Sequence, residues 1–116
     1  MPLINALAQR RFSEHGPVPR PVSMGHGMAV MLLCLQSGQS IVAPAGDAAE
    51  TVFTVIDGQG TVLEGEAAHA VGPGDVVHVL PGDDKALIAG EGRFTVLGVR
   101  RLERRAASPG RAGGGA

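Results

Sequence analysis

The chain has 116 residues, of which 44% are hydrophobic, and its formal net charge is −1. This length fits one domain with one core and leaves no room for a second. Because the chain contains three Phe and no Trp or Tyr, it offers almost no stacking surface, and nucleic acid is not expected as a partner. The single cysteine excludes an internal disulfide.

Charge is distributed unevenly along the chain. Residues 1–99 contain five basic and ten acidic residues, whereas residues 100–116 contain five Arg and one Glu. No apolar run reaches the length of a signal peptide, and none approaches the roughly 18 residues that a membrane-spanning helix needs. We therefore expect a cytoplasmic protein with no membrane partner.

The first 27 residues are predicted to form an irregular N-terminal arm, because residues 13–27 hold three prolines and three glycines. After residue 28, short apolar runs alternate with glycine-rich turns, a pattern typical of strands. Strands are predicted at residues 28–35, 39–43, 50–57, 60–64, 66–71, 75–80, 84–89 and 92–101. No helical period is evident in the interior, so residues 28–103 are predicted to form one all-β domain.

Residues 104–116 contain only Arg, Ala, Ser, Pro and Gly. Such a composition buries too little apolar surface to offset its ordering entropy, so a disordered basic tail is predicted.

Eight closely spaced strands favour a sandwich or a barrel. The runs 28–35 and 75–80 are apolar on both faces, which favours a closed jelly roll packed against a second copy as a homodimer, with a plain sandwich as the alternative.

Residues 38–90 resemble the cupin superfamily, whose small jelly-roll barrels carry two linked motifs. The first motif has the form G-x5-H-x-H-x3or4-E-x6-G, and Gly38 and Gly58 match its two glycines. The second has the form G-x5-P-x-G-x2-H-x3-N, and Gly74 and Gly82 match its glycines, with the proline displaced by one residue to Pro81. The resemblance implies a small barrel of about eight or more short antiparallel strands.

The same alignment places non-ligands at all four metal-binding positions of that superfamily. Pro44 and Gly46 stand at the first two histidine positions, Thr51 at the glutamate position and Lys85 at the third histidine position. A lysine ammonium has no free lone pair and repels a cation. We therefore expect no metal and no other cofactor.

A relocated metal site is the alternative to a metal-free barrel. Its carboxylates would come from the turn residues near the expected barrel mouth. Alternatively, three of the histidines would supply imidazole ligands. The candidate sets are Asp47, Glu50, Asp83 and Asp84, or His26, His69 and His78. Turn aspartates more commonly serve turn geometry.

Four residues are predicted to form a ligand site in the barrel interior: Lys85, His78, Thr51 and Phe53. If Lys85 points inward, as the resemblance implies, it is a candidate anion anchor, general base or Schiff-base nucleophile. The alternative for Lys85 is a surface position in which it pairs with a turn aspartate. The alternative for His78 is a half-buried strand position with a local hydrogen bond. Cys34 is expected to be a buried thiol.

These residues lead to three functional hypotheses. The first is a metal-independent module that binds or senses a small anionic or apolar molecule. The second is a metal-independent isomerase or epimerase that uses Lys85 and His78 for proton transfer. The third is a barrel with a purely structural or dimerisation role. The glycine spacing and the strand pattern favour the cupin fold, but they do not indicate whether the protein is an enzyme.

Overall fold

A computed structural model describes residues 3–43 and 49–102 of the chain. Within these residues, one 3₁₀ turn at Leu7–Gln9 precedes a series of nine strands. The strands are β1 Val18–Met24, β2 Met28–Leu35, β3 Ser40–Val42, β4 Thr51–Asp57, β5 Gly60–Glu64, β6 Ala67–Val71, β7 Val76–Val79, β8 Lys85–Ala89 and β9 Phe94–Arg101. The predicted all-β class is confirmed.

The strands form two antiparallel sheets, which we call sheet A and sheet B. Sheet A has the order β1-β2-β9-β4-β7, and sheet B has the order β3-β8-β5-β6. Strands that are distant in sequence therefore lie side by side, as in a jelly roll. The hydrophobic core lies between the inner faces of the two sheets, where the largest fully buried side chains include Phe94, Leu35 and Leu87.

Strand β4 shows how the sequence selects the buried face. Thr51, Phe53 and Val55 are buried, whereas Val52 and Thr54 between them are only half-buried. Successive side chains of a strand point to opposite faces, so this alternation assigns the odd-numbered residues of β4 to the core. Each buried residue of β4 lies beside an inner-face residue of β9.

The N-terminal segment contains a strand where irregular structure was predicted. Strand β1 pairs with β2 along its length, so sheet A begins at Val18 instead of Met28. Pro19 and Pro21 fit because β1 is the edge strand, where a residue without an N–H group need not interrupt a ladder. The proline-rich composition misled the sequence prediction because it disfavours central strands only.

The residues before β1 cross the outer face of sheet A. Arg20 of β1 donates a hydrogen bond to the side-chain carbonyl of Gln9 at 3.3 Å. Arg10, which follows Gln9 in the chain, donates a hydrogen bond to the carboxylate of Asp57 at the end of β4, over a distance of 3.2 Å. The crossing spans β2 and β9, whose paired outer-face residues Cys34 and Thr95 are fully buried. The N-terminal segment thus acts as a strap over one sheet.

Two further sequence predictions concern the C-terminal tail and membrane-spanning segments. The predicted disordered tail, residues 104–116, lies outside the described residues. Among residues 3–43 and 49–102, no helix has the length and hydropathy that a membrane span requires.

Two buried threonines provide a test of this packing. The Thr95 hydroxyl finds no hydrogen-bond partner among the described residues, whereas the Thr51 hydroxyl donates to the carbonyl of Ala49 at 3.1 Å. A Thr95→Val substitution should raise the free energy of unfolding by about 1 kcal/mol, because it removes a buried unsatisfied group. Thr51→Val should lower the free energy of unfolding by about 1 kcal/mol, because it removes the hydrogen bond to Ala49. Urea unfolding of both variants would measure this difference, and equal effects would contradict the assigned environments.

Candidate functional site

A cavity of about 170 Å³ opens at one end of the barrel between the two sheets. Strands β2, β4 and β9 of sheet A and strands β3 and β8 of sheet B supply most of its wall. The described lining residues are Met31, Leu33, Ile41, Val42, Ala43, Thr51, Phe53, Lys85, Ala86, Leu87, Gly98 and Arg100. Most of this surface is apolar, and the polar groups are a hydroxyl, an ammonium and a guanidinium.

Lys85 and Thr51 meet at one backbone carbonyl. Lys85 is the first residue of β8 and is only 7% exposed. Its ammonium donates to the carbonyl of Ala49 at 3.3 Å, and the Thr51 hydroxyl donates to the same oxygen at 3.1 Å. Burial of an ammonium requires such polar partners, so this shared acceptor helps to hold Lys85 at the cavity wall. The structure therefore places Lys85, Thr51 and Phe53 in the interior.

Arg100 is a second cation in the cavity lining that the sequence analysis did not identify. It lies on β9 beside Thr51 and on the same face as the core residues Phe94 and Val96. Period-two alternation from Phe94 could have found it. The signal was ambiguous because Leu97 and Val99, on the opposite face of the same strand, are also apolar.

Gly98 contributes to the inner wall of the cavity. It lies on β9 between Val96 and Arg100 and faces inward. A Cβ atom at this position would lie 3.4 Å from side-chain carbons of both Leu33 and Phe53. Such contacts are at the tight end of normal packing, so a larger side chain would have to extend into the open cavity.

His78 does not lie in the interior, and the prediction of an interior position was wrong. Its neighbours Val77 and Val79 occupy the inner face of β7, which turns His78 outward, where its side chain is 52% exposed. The His78 ring contacts the carboxylate of Glu50 at 2.6 Å, and Arg101 approaches the same carboxylate at 3.8 Å. His78 and Glu50 form a local pair on the outer face of sheet A, as the alternative interpretation had it.

The architecture matches several solved structures with little sequence similarity. A Thermus thermophilus protein, TT1209, is 19% identical, with a TM-score of 0.79 over 90% of this chain and 100% of its own. An RmlC-like cupin protein from Desulfovibrio desulfuricans is 20% identical, with a TM-score of 0.77 over 87% and 96% of the two chains. No protein-family model and no curated protein sequence matches.

This chain has the cupin fold. A third structure, of an uncharacterised Klebsiella pneumoniae protein with a double-stranded β-helix domain, agrees at 20% identity and a TM-score of 0.77 over 85% and 88% of the two chains. The resemblance drawn from glycine spacing is confirmed at the level of the fold. At such identities the likeness concerns the scaffold, and the site must be judged on its own residues.

The residues at the positions that the resemblance aligns with cupin metal ligands do not fit a divalent cation. Pro44 and Gly46 lie outside the described residues. Thr51 offers one hydroxyl, and Lys85 brings a positive charge to the position where a histidine would donate a lone pair. Across the described part of the chain, no group of three His, Cys, Asp or Glu residues is arranged to hold a metal.

The relocated metal sites receive no support from the described geometry. Glu50 is engaged with His78 on the outer face, and His69 contacts Glu64 at 3.0 Å on sheet B. Asp83 lies near the turn at Gly65. Asp47, the remaining member of the acidic set, lies outside the described residues.

Elemental analysis tests whether these residues bind a metal. We expect protein purified without chelator to contain iron, manganese, nickel and zinc at well below one atom per chain, because Thr51 and Lys85 replace strong ligands. A Thr51→Glu, Lys85→His double variant should gain divalent-metal affinity relative to the parent. Stoichiometric metal in the parent protein would contradict the expectation.

Proposed function

We propose that this cupin is a metal-independent binding module for a small organic anion with a compact apolar body. The observation that carries the proposal is the cavity at the barrel mouth, in which an apolar wall surrounds Lys85 and Arg100. An apolar pocket with a few polar groups is the usual composition of a small-molecule site. The apolar wall would accept the body of the ligand, and the cations would orient its charged group.

The volume of the cavity limits the size of the ligand. At about 170 Å³, it is close to the roughly 150 Å³ of an engineered apolar cavity that takes up benzene. A single ring or a short branched chain fits this space. Larger sugars and nucleotides would project from the mouth, where no Trp or Tyr of the chain is present to stack on them.

The two cations differ in what they offer a carboxylate. Lys85 is buried at the wall and acts as a compact point charge. Arg100 is half-buried and carries a planar fork of N–H groups, which matches the two oxygens of a carboxylate. A hydrogen bond to a charged group is worth about 1.5–3 kcal/mol, more than a neutral one, so these residues would favour an anion over its neutral analogue.

An isomerase built on Lys85 and His78 is disfavoured by their positions. Lys85 lies in the interior on sheet B, whereas His78 lies on the outer face of sheet A. Acid–base catalysis requires both groups within hydrogen-bonding reach of one substrate. A carbonyl-bearing ligand that condensed with the deprotonated amine of Lys85, with loss of water, would form an imine that borohydride reduces and traps.

Benzoate and benzene are matched probes for the cavity. Both should perturb the methyl NMR signals of Leu33 and Leu87 in the parent protein. Lys85→Met should weaken benzoate binding by about tenfold, which corresponds to about 1.4 kcal/mol, and leave benzene binding nearly unchanged. Gly98→Leu should abolish the binding of both probes, because its side chain extends into the cavity.

The thermal unfolding midpoint of each variant is the control for folding. Gly27→Leu is a matched replacement, since a Cβ atom at Gly27 meets no atom within 4 Å, and this variant should bind both probes as the parent does. If neither probe perturbs the cavity methyls, or if Gly98→Leu binds both normally, the proposed binding site is wrong.

We also propose that two copies of this chain associate through the outer face of sheet A. Val30, Val99 and Val52 form a half-buried row across β2, β9 and β4. On either side of this row, Met28 is 57% exposed and Val76 is 60% exposed. Exposed apolar residues grouped on one face commonly mark an interface, and a second copy would cover them symmetrically.

Light scattering coupled to size-exclusion chromatography tests the association. A Met28→Glu, Val76→Glu variant should be monomeric where the parent is dimeric, because it places charges in the apolar interface. The control is Val42→Glu, Ile88→Glu, which alters exposed residues of sheet B and should remain dimeric. A monomeric parent protein would refute the proposal.

A further inference from the structure

Three arginines surround a shallow surface depression at the end of the barrel opposite the cavity. The depression has a volume of about 390 Å³ and is mostly polar; it is lined by Leu7, Ala8, Arg10, Arg11, Phe12 and Arg93. Arg93 immediately precedes β9, whereas Arg100 of the cavity lies near the end of that strand. Arg100 follows Arg93 by seven residues along the strand, a distance of about 23 Å, so the depression is separate from the cavity.

Each of the three guanidinium groups is held by a contact of its own. Arg10 donates from Nε to the carbonyl of Leu7 at 3.1 Å and from a terminal nitrogen to Asp57 at 3.2 Å. Arg11 donates to the carbonyl of Arg10 at 2.7 Å. The guanidinium of Arg93 lies 4.5 Å from the centre of the Phe12 ring. These contacts restrict the side chains before any ligand arrives, which reduces the entropy lost on binding.

The concentration of positive charge here stands out against the rest of the barrel. Residues 3–43 and 49–102 contain seven Lys or Arg residues against nine acidic residues, and three of the seven line this depression. Asp57 offsets one of the three charges through its contact with Arg10. The depression thus remains cationic on a body that is otherwise acidic, which favours an anion with several charges over one with a single charge.

We propose that this depression binds a diphosphate group, as carried by inorganic pyrophosphate or by a phosphorylated small molecule. A guanidinium presents N–H groups in a planar fork that matches pairs of phosphate oxygens. Three such forks around one depression suit the several oxygens of a diphosphate better than a single carboxylate. The proposal uses residues of the strap and of the turn before β9, and it is independent of the function assigned to the cavity.

Titration with inorganic pyrophosphate at low ionic strength tests the proposal. Binding should be saturable, should perturb the backbone amide signals of Leu7 and Ala8, and should weaken as salt is added. An Arg11→Gln, Arg93→Gln variant should bind at least tenfold more weakly. Both side chains are exposed, so the variant should retain the parent's unfolding midpoint.

Arg101→Gln is the matched control, because Arg101 is 74% exposed and lies outside the depression. This variant should bind pyrophosphate as the parent does. Citrate, a multivalent carboxylate, should bind at least tenfold more weakly than pyrophosphate if the site selects for phosphate geometry. The absence of saturable binding, an equal loss in Arg101→Gln, or equal affinity for citrate would each overturn the proposal.

Discussion

The double pairing of β9 is the constraint on which the rest of this structure depends. β9 hydrogen-bonds with β2 on one side and with β4 on the other, in the middle of sheet A. Its register places Phe94 and Val96 in the core and brings Gly98 and Arg100 to the cavity. A slip of one residue would turn these four positions outward, so the core and the candidate site share one register.

The outer face of sheet A needs a cover because β9 lies in the middle of that sheet. β9 has buried side chains on both faces, since Thr95 is as fully buried as Phe94. The N-terminal strap supplies the second cover by bonding to β1 and to the end of β4. The strap also brings Arg10 and Arg11 toward Arg93. One segment of chain thus shields the sheet and completes the cationic depression.

The sequence predicted the positions of eight strands and the turns between them with little error. The four glycines that carried the cupin resemblance, Gly38, Gly58, Gly74 and Gly82, all adopt φ values between +77° and +91°. A Cβ atom at Gly58 would also lie 1.9 Å from the carbonyl oxygen of Arg93. These positions are readable because the local backbone geometry requires glycine. β1 was missed because prolines disfavour a central strand, and the sequence did not show that this segment lies at the edge of a sheet.

What the sequence by itself determined was local: strand lengths, turn positions and the all-β class. The tertiary structure decided which face of each strand points inward. It placed Arg100 in the cavity and His78 outside, although both lie on strands with apolar residues on each face. It also brought Lys85 to Ala49, 36 residues away. Such contacts depend on the pairing of distant strands, and period-two alternation leaves the choice of face open when both faces are apolar.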